Sequence, residues 1–161
     1  MDDPRVSDSS NVMSSTYMAW MNDRVSQPAP YIKHGRPIHP NHLLDLMRFR
    51  LGVHWLAVVT GRWSNPVDGT AGGVPRPYRR CRKCSEGCIE DERHFLMECQ
   101  SYSHIRAMFS DLYSECDDSM VKLMCHPKQY KVALLVHTLR CFRDSDCDHI
   151  FDTHLDGFDS D

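Results

Sequence analysis

From residue 43 onward the apolar positions recur at intervals of three and four, and no stretch alternates apolar with polar as a half-buried strand would. The longest run is HLLDLMRFRLGVHWLAVV at 42–59. Leu43, Leu44, Met47, Leu51, Trp55 and Val58 form its stripe, with Arg48, Arg50 and His54 nearer the edges. Asn41 stands where an N-cap belongs and Gly61 where a helix stops, so one long helix is predicted between them. A second is predicted over 90–98, with acidic residues in its first turn where the macrodipole favours them. A third covers 102–115 and places Ile105, Met108, Phe109 and Leu112 on one face. A short helical piece follows at 120–124. A last helix takes Pro127 as its first residue and runs to Phe142, with Tyr130, Leu134, His137 and Cys141 along one side. Upstream, YMAWMNDR at 17–24 reads as a short helix, and the prolines of QPAPYIKHGRPIHP make 27–40 an extended linker. SNPVDGTAGGVPRP at 64–77 is rich in turn residues.

A chain of 161 residues, 41% apolar, suits one domain with a single core. Its first sixteen residues are short on large apolar groups, and its last eighteen hold seven Asp and no Lys or Arg. Neither end repays the entropy of ordering, so 1–16 and 144–161 are expected to be disordered tails around a helical domain at 17–143. The expected fold class is mainly α, a small helical domain.

The net charge of −3 conceals an asymmetry: residues 30–106 carry twelve Lys or Arg against seven Asp or Glu, while the acidic tail is strongly negative. A basic middle points to a polyanionic partner, and an acidic tail can shield it. No charged-then-apolar leader opens the sequence, and no run approaches the ~20 apolar residues of a membrane span. An intracellular protein, nuclear or cytoplasmic, is therefore expected, with its eight cysteines reduced and available to metal.

The densest chemistry lies in CRKCSEGCIEDERHFLMEC at 81–99. Cys81 and Cys84 have the Cys-x2-Cys spacing that supplies two thiolates from one tight turn, and His94 and Cys99 complete four ligands for one structural zinc ion. Arg79, Arg80, Arg82 and Lys83 offset the negative charge of the thiolates. A retroviral-type zinc knuckle is excluded because Ile89 occupies its histidine position. Cys88 is a fifth thiol that competes with Cys84, though Cys81 with Cys84 is the more usual hairpin. Cys116, Cys125 and Cys141 read as small buried hydrophobes, and His39 and His42 as solvent-exposed.

Around this cluster the sequence resembles the zinc-binding domain at the C-terminal end of reverse transcriptases from LINE-type (non-LTR) retrotransposons. The residues that carry the resemblance are RFRLGVHWLAVVTGRW at 48–63, RRCRKC at 79–84 and EDERHFLMECQSYSHIR at 90–106, with Tyr102 and Arg106 in the following helix. Gln100 stands where the family often has proline. The resemblance implies a domain derived from a retroelement polyprotein that helps hold template nucleic acid. The polymerase is missing: the only internal Asp pair, Asp117-Asp118, follows Glu115 and Cys116 and lacks the aromatic of the two-metal hairpin. No phosphate-binding loop, HExxH or nucleophile elbow is present, so no enzyme and no small-molecule substrate is expected.

The function expected from these features is binding of RNA or DNA through phosphates. The contacts fall to Arg79, Arg80, Arg82 and Lys83, joined by Arg48, Arg50 and Arg62. The competing expectations are a protein-interaction module with purely structural zinc, anchored by exposed tryptophan, and a retroelement remnant without function.

Overall fold

The computed structural model describes residues 37–63 and 73–145. The sequence readings for 1–36, 64–72 and 146–161 fall outside these limits. Within them the chain is mainly helical, and its only β-type pairing is one isolated bridge between Arg80 and Ile89. The helices are α1 (Pro40–Arg50), α2 (Ala57–Thr60), α3 (Ser103–Met108), α4 (Ser110–Ser114), α5 (Met120–Met124) and α6 (Gln129–Asp144). A π-helical turn (His94–Glu98) and two 3₁₀ turns (Arg76–Tyr78 and Gln100–Tyr102) complete the described elements.

The predicted 42–59 helix is two helices. Pro40 takes the first position of α1, and the cap is His39, whose Nδ1 accepts the Asn41 N–H at 3.3 Å; Asn41 is not the cap. The helix ends eleven residues later because Gly52 adopts φ 67°, a left-handed conformation that costs glycine little. Val53 N–H then reaches back to Arg48 O at 3.0 Å and Gly52 N–H to Phe49 O at 3.3 Å, the paired bonds of a Schellman motif. The buried face differs too. Leu46 and Phe49 are fully buried beside Asp45 and Arg50, while Leu44, Met47 and Leu51 of the predicted stripe face solvent.

The partners of those two buried charges explain this rotation. Asp45 Oδ2 accepts from His137 Nδ1 at 2.7 Å and Oδ1 from Arg140 Nη1 at 2.5 Å. Arg50 donates to Met124 O and, at 2.8 Å, to Gln129 Oε1. The N-terminal part of α1 thus meets the C-terminal half of α6, and the C-terminal end of α1 meets the start of α6. The two helices pack antiparallel, pinned at both ends. Between the pins lies a core built from Leu46, Phe49, Val132, Leu135, Val136 and Leu139, together with Phe95, Leu96, Tyr102, Ile105 and Leu112 from the middle of the chain. Each such side chain contributes about 1.5–3 kcal/mol by leaving water.

The remaining departures have local causes. The predicted 102–115 helix breaks at Phe109 (φ −113°, ψ 30°), which is buried while Met108 faces out. The last helix begins at Gln129 and not at Pro127, and it continues to Asp144. At the other end of the 90–98 segment, Glu90 is not helical. Its backbone N–H pairs with Arg79 O at 2.9 Å, and its fully buried carboxylate caps α2 through Ala57 N–H at 2.7 Å. The same carboxylate receives Arg143 Nε at 2.7 Å and Nη2 at 2.9 Å, so the Glu90 side chain joins α2 to α6. No helix among the described residues is long and apolar enough to cross a membrane.

Candidate metal centre

Residues 81–88 form a tight loop closed by the Arg80–Ile89 bridge and by Cys81 N–H to Cys88 O at 2.9 Å. Gly87, at φ 71°, supplies the left-handed residue this turn requires. Inside the loop, backbone N–H groups of Cys84 and Lys83 point at the Cys81 sulfur, as they must if that sulfur is to carry negative charge. Ser101 N–H does the same for Cys99, and Ser101 Oγ donates to Lys83 O at 2.9 Å, tying the loop to the chain beyond the second ligand pair.

His94 and Cys99 are brought together by the π-helical turn. Residues five apart on an α-helix stand about 140° apart around its axis, at about 100° per residue, so His-x4-Cys would point its ligands away from each other. Here Cys99 N–H bonds to His94 O at 2.8 Å, an i→i+5 bond, and the extra residue per turn stacks Cys99 over His94. Asp91 starts the turn by accepting His94 N–H at 2.9 Å on Oδ1. Groups released at its end find partners as well: Tyr113 Oη donates to Leu96 O at 2.8 Å and Arg106 Nη2 to Cys99 O at 2.7 Å.

The result is one cluster in which the ligand atoms of Cys81, Cys84, His94 and Cys99 all lie within 4.8 Å of one another. Cys81 Sγ is 3.9 Å from Cys99 Sγ, and Cys84 Sγ is 3.4 Å from His94 Nε2. Zinc bonds of about 2.3 Å to sulfur and about 2.0–2.1 Å to nitrogen give tetrahedral edges of about 3.8 Å and about 3.5 Å respectively. Two of the six donor–donor distances thus match such a tetrahedron, and none of the six exceeds 4.8 Å. Cys88 is not part of it; its sulfur faces Glu86 Oε2 at 3.8 Å. Cys81, His94 and Cys99 are buried, and burial pushes the Cys99 thiol up to about 12, with Cys81 and Cys84 adding like charge. Cys81 is raised for the same first reason. Cys81 and Cys99, raised in this way, lose their protons together when a cation joins them, which makes this donor set fit for a metal. All seven cysteines among the described residues are free of disulfides.

The basic residues expected to meet phosphates divide into two groups. Arg50 is a correction: it is 2% exposed and spent on Met124 and Gln129, so it reaches no ligand outside the protein. Arg79 is half-buried, donating from Nε to Val74 O at 2.7 Å and from Nη1 to Val58 O at 2.8 Å. Lys83 is also engaged, with Nζ at 2.5 Å from Ser145 O and 5.2 Å from the centre of the Phe142 ring. Arg48, Arg80 and Arg82 are exposed and Arg62 is half-exposed.

One grouping escaped the sequence reading. Burial lowers the pKa of Arg79, and the neighbouring charges of Arg62 and Arg76 lower it further, so these three guanidinium groups share one region. Val74 N–H to Gly61 O at 2.7 Å joins the two segments that bear them. Trp63 and Tyr78, in the same two segments, are 76% and 67% exposed. The adjacent pairs Arg62-Trp63 and Tyr78-Arg79 were the available signal, but only the fold sets them side by side. In comparisons with known proteins, no family model, no curated sequence and no solved structure matches this chain, so the resemblance to the retrotransposon domain rests on the residues that carry it.

Proposed function

We propose that this chain is a zinc-stabilised nucleic-acid-binding domain of the type that follows the polymerase in LINE-type reverse transcriptases. The observation that carries the zinc reading is the Cys81–Cys84–His94–Cys99 cluster, whose 3.9 Å and 3.4 Å edges suit a tetrahedral zinc ion. Zinc here is structural, since all four positions are filled by protein and none is left for substrate.

Support for nucleic acid comes from Arg62, Arg76, Arg80 and Arg82 lying along the same segments as exposed Trp63 and Tyr78. Guanidinium groups neutralise phosphates while aromatic faces stack on unpaired bases, a combination suited to single strands. Fluorescence anisotropy with single-stranded and duplex RNA and DNA tests this. A footprint of ~4 phosphates gives a log–log salt slope near about −3. Arg76→Gln, Arg80→Gln and Arg82→Gln together should flatten that slope. Trp63→Ala should weaken single-strand binding by about 1–3 kcal/mol and leave the slope unchanged. Absence of binding to every probe below ~100 µM would sink the nucleic-acid reading.

A second reading, a protein-interaction module, is favoured by exposed Trp63 and by Leu44 and Met47, exposed at i and i+3 on α1, with Leu51 and Val53 exposed just beyond its end. It predicts salt-insensitive, weak nucleic-acid binding in the same titrations.

A further inference from the structure

We propose that Cys141, His137 and Asp45 form a thiol-exchange site, at which Cys141 is modified by low-molecular-weight disulfides with His137 as its proton acceptor. The three side chains form a chain of contacts outside the metal centre. Asp45 Oδ2 lies 2.7 Å from His137 Nδ1, and His137 Nε2 lies 3.5 Å from Cys141 Sγ. A carboxylate oxygen accepts, so Nδ1 carries the proton of the neutral ring and Nε2 presents its lone pair to the thiol. Nucleophile, base and orienting carboxylate are then in the order that activates a cysteine.

Two features hold the array in place. Asp45 is 1% exposed, and its other oxygen is fixed by Arg140 at 2.5 Å, so the carboxylate cannot swing away from the ring. His137 and Cys141 are one helical turn apart on α6, which fixes their separation. Cys141 is half-exposed and therefore reachable, unlike buried Cys116.

The charges facing the thiol come from both helices. From α6, Arg140 favours the thiolate while Asp144 opposes it; from α1, Asp45 opposes it, and burial pushes the thiol up as the largest influence. The His42 ring lies 4.4 Å from that of His137, and His39 lies 4.8 Å from His42, stacking further imidazoles over the base. A thiolate in these surroundings depends on the imidazolium formed beside it. Reactivity should therefore follow the histidine–cysteine pair and not the thiol alone.

The step balances as follows. The Cys141 proton passes to His137 Nε2, and the thiolate attacks one sulfur of the disulfide. A new S–S bond forms as the old one breaks, and the departing thiolate takes the proton from His137. One disulfide and one thiol are consumed, and one mixed disulfide and one thiol are produced.

The test treats the full-length, zinc-loaded protein with oxidised glutathione between pH 5.5 and 9, with acid quenching and mass mapping of every cysteine. The expected Cys141 profile inflects at lower pH than those of Cys125 and Cys88, because an imidazole nitrogen stands 3.5 Å from its sulfur. At pH 6 Cys141 should react at least about tenfold faster than Cys125. His137→Gln should move the Cys141 inflection to higher pH, with helical content and zinc content unchanged. Should that variant misfold, the wild-type profile decides alone. A wild-type Cys141 inflection at or above that of Cys125, or a folded His137→Gln variant with the wild-type profile, would overturn the proposal.

Discussion

Replacing Glu90 by Gln keeps the size of the side chain and removes a charge on which three segments depend. The wild-type carboxylate is fully buried, receives two bonds from Arg143 at 2.7 and 2.9 Å, and accepts Ala57 N–H at 2.7 Å. The Arg143 side chain is only 9% exposed. Burial alone would lower the pKa of that guanidinium; Glu90 outweighs burial and holds it raised. A glutamine offers one acceptor oxygen: at the Oε2 position it keeps Ala57 and Arg143 Nη2 but turns its NH₂ on Arg143 Nε, and at the Oε1 position it loses both Ala57 and Arg143 Nη2. Removing one partner of a buried pair costs about 3–5 kcal/mol, because the other charge is left uncompensated. For a domain of about 100 residues, at about 4–8 °C per kcal/mol, the melting temperature should fall by at least ~12 °C. Thermal and urea unfolding at saturating zinc would measure this at equal metal occupancy. The double variant Glu90→Leu/Arg143→Met removes both charges and leaves mainly the uncapped Ala57 N–H, a loss of about 1–3 kcal/mol. It should therefore be more stable than Glu90→Gln alone. A single-variant loss under ~1 kcal/mol, or a double variant as unstable as the sum of its parts, would refute the reasoning.

Further expectations concern the metal centre and α1. Alanine at Cys81, Cys84, His94 or Cys99 should abolish the one zinc per chain expected by elemental analysis, whereas Cys88→Ala should retain it; zinc kept in Cys84→Ala but lost in Cys88→Ala would reassign the ligand. Leu46→Ala should destabilise by about 2–5 kcal/mol in urea melts and Leu44→Ala by less than ~0.5 kcal/mol, since one is fully buried and the other 45% exposed. Equal losses would mean that the face of α1 is assigned wrongly. Gly52→Ala should cost about 1–2 kcal/mol, the penalty of an L-residue at φ 67°, with the loss seen as a lowered midpoint at unchanged slope.

Helical class was legible because the spacing of apolar residues records it directly, and α5 falls where it was expected because Ser119 caps it, accepting Lys122 N–H at 3.3 Å. The 42–59 reading failed at Gly52, a stop signal overlooked inside an otherwise continuous apolar rhythm. The face of α1 was misassigned for a different reason. Sequence reading puts Arg50 near the edge of the stripe and gives Asp45 no role, and the partners of Asp45 and Arg50 lie 92 and 79 positions away, where no local pattern shows them. That Cys81, Cys84, His94 and Cys99 cluster was legible from their spacing, but the π turn that aims His94 and Cys99 together was not. Likewise the four-residue interval between His137 and Cys141 was visible, while Asp45 behind His137 was not.

The antiparallel seam between α1 and α6 also has a bearing on the order in which the chain assembles. Asp45 and Arg140 are 95 positions apart, whereas Cys81 and Cys99 are separated by 18. Loop-closure entropy grows with the logarithm of that separation, so joining the seam from an open chain costs about 1.5 kcal/mol more than closing the cysteine loop. Closing the loop first shortens the path the two helices must still span. It also sets Lys83 where it can receive the end of α6 at Ser145. On closure entropy alone, distance along the chain favours closing the cysteine loop before α1 and α6 are joined.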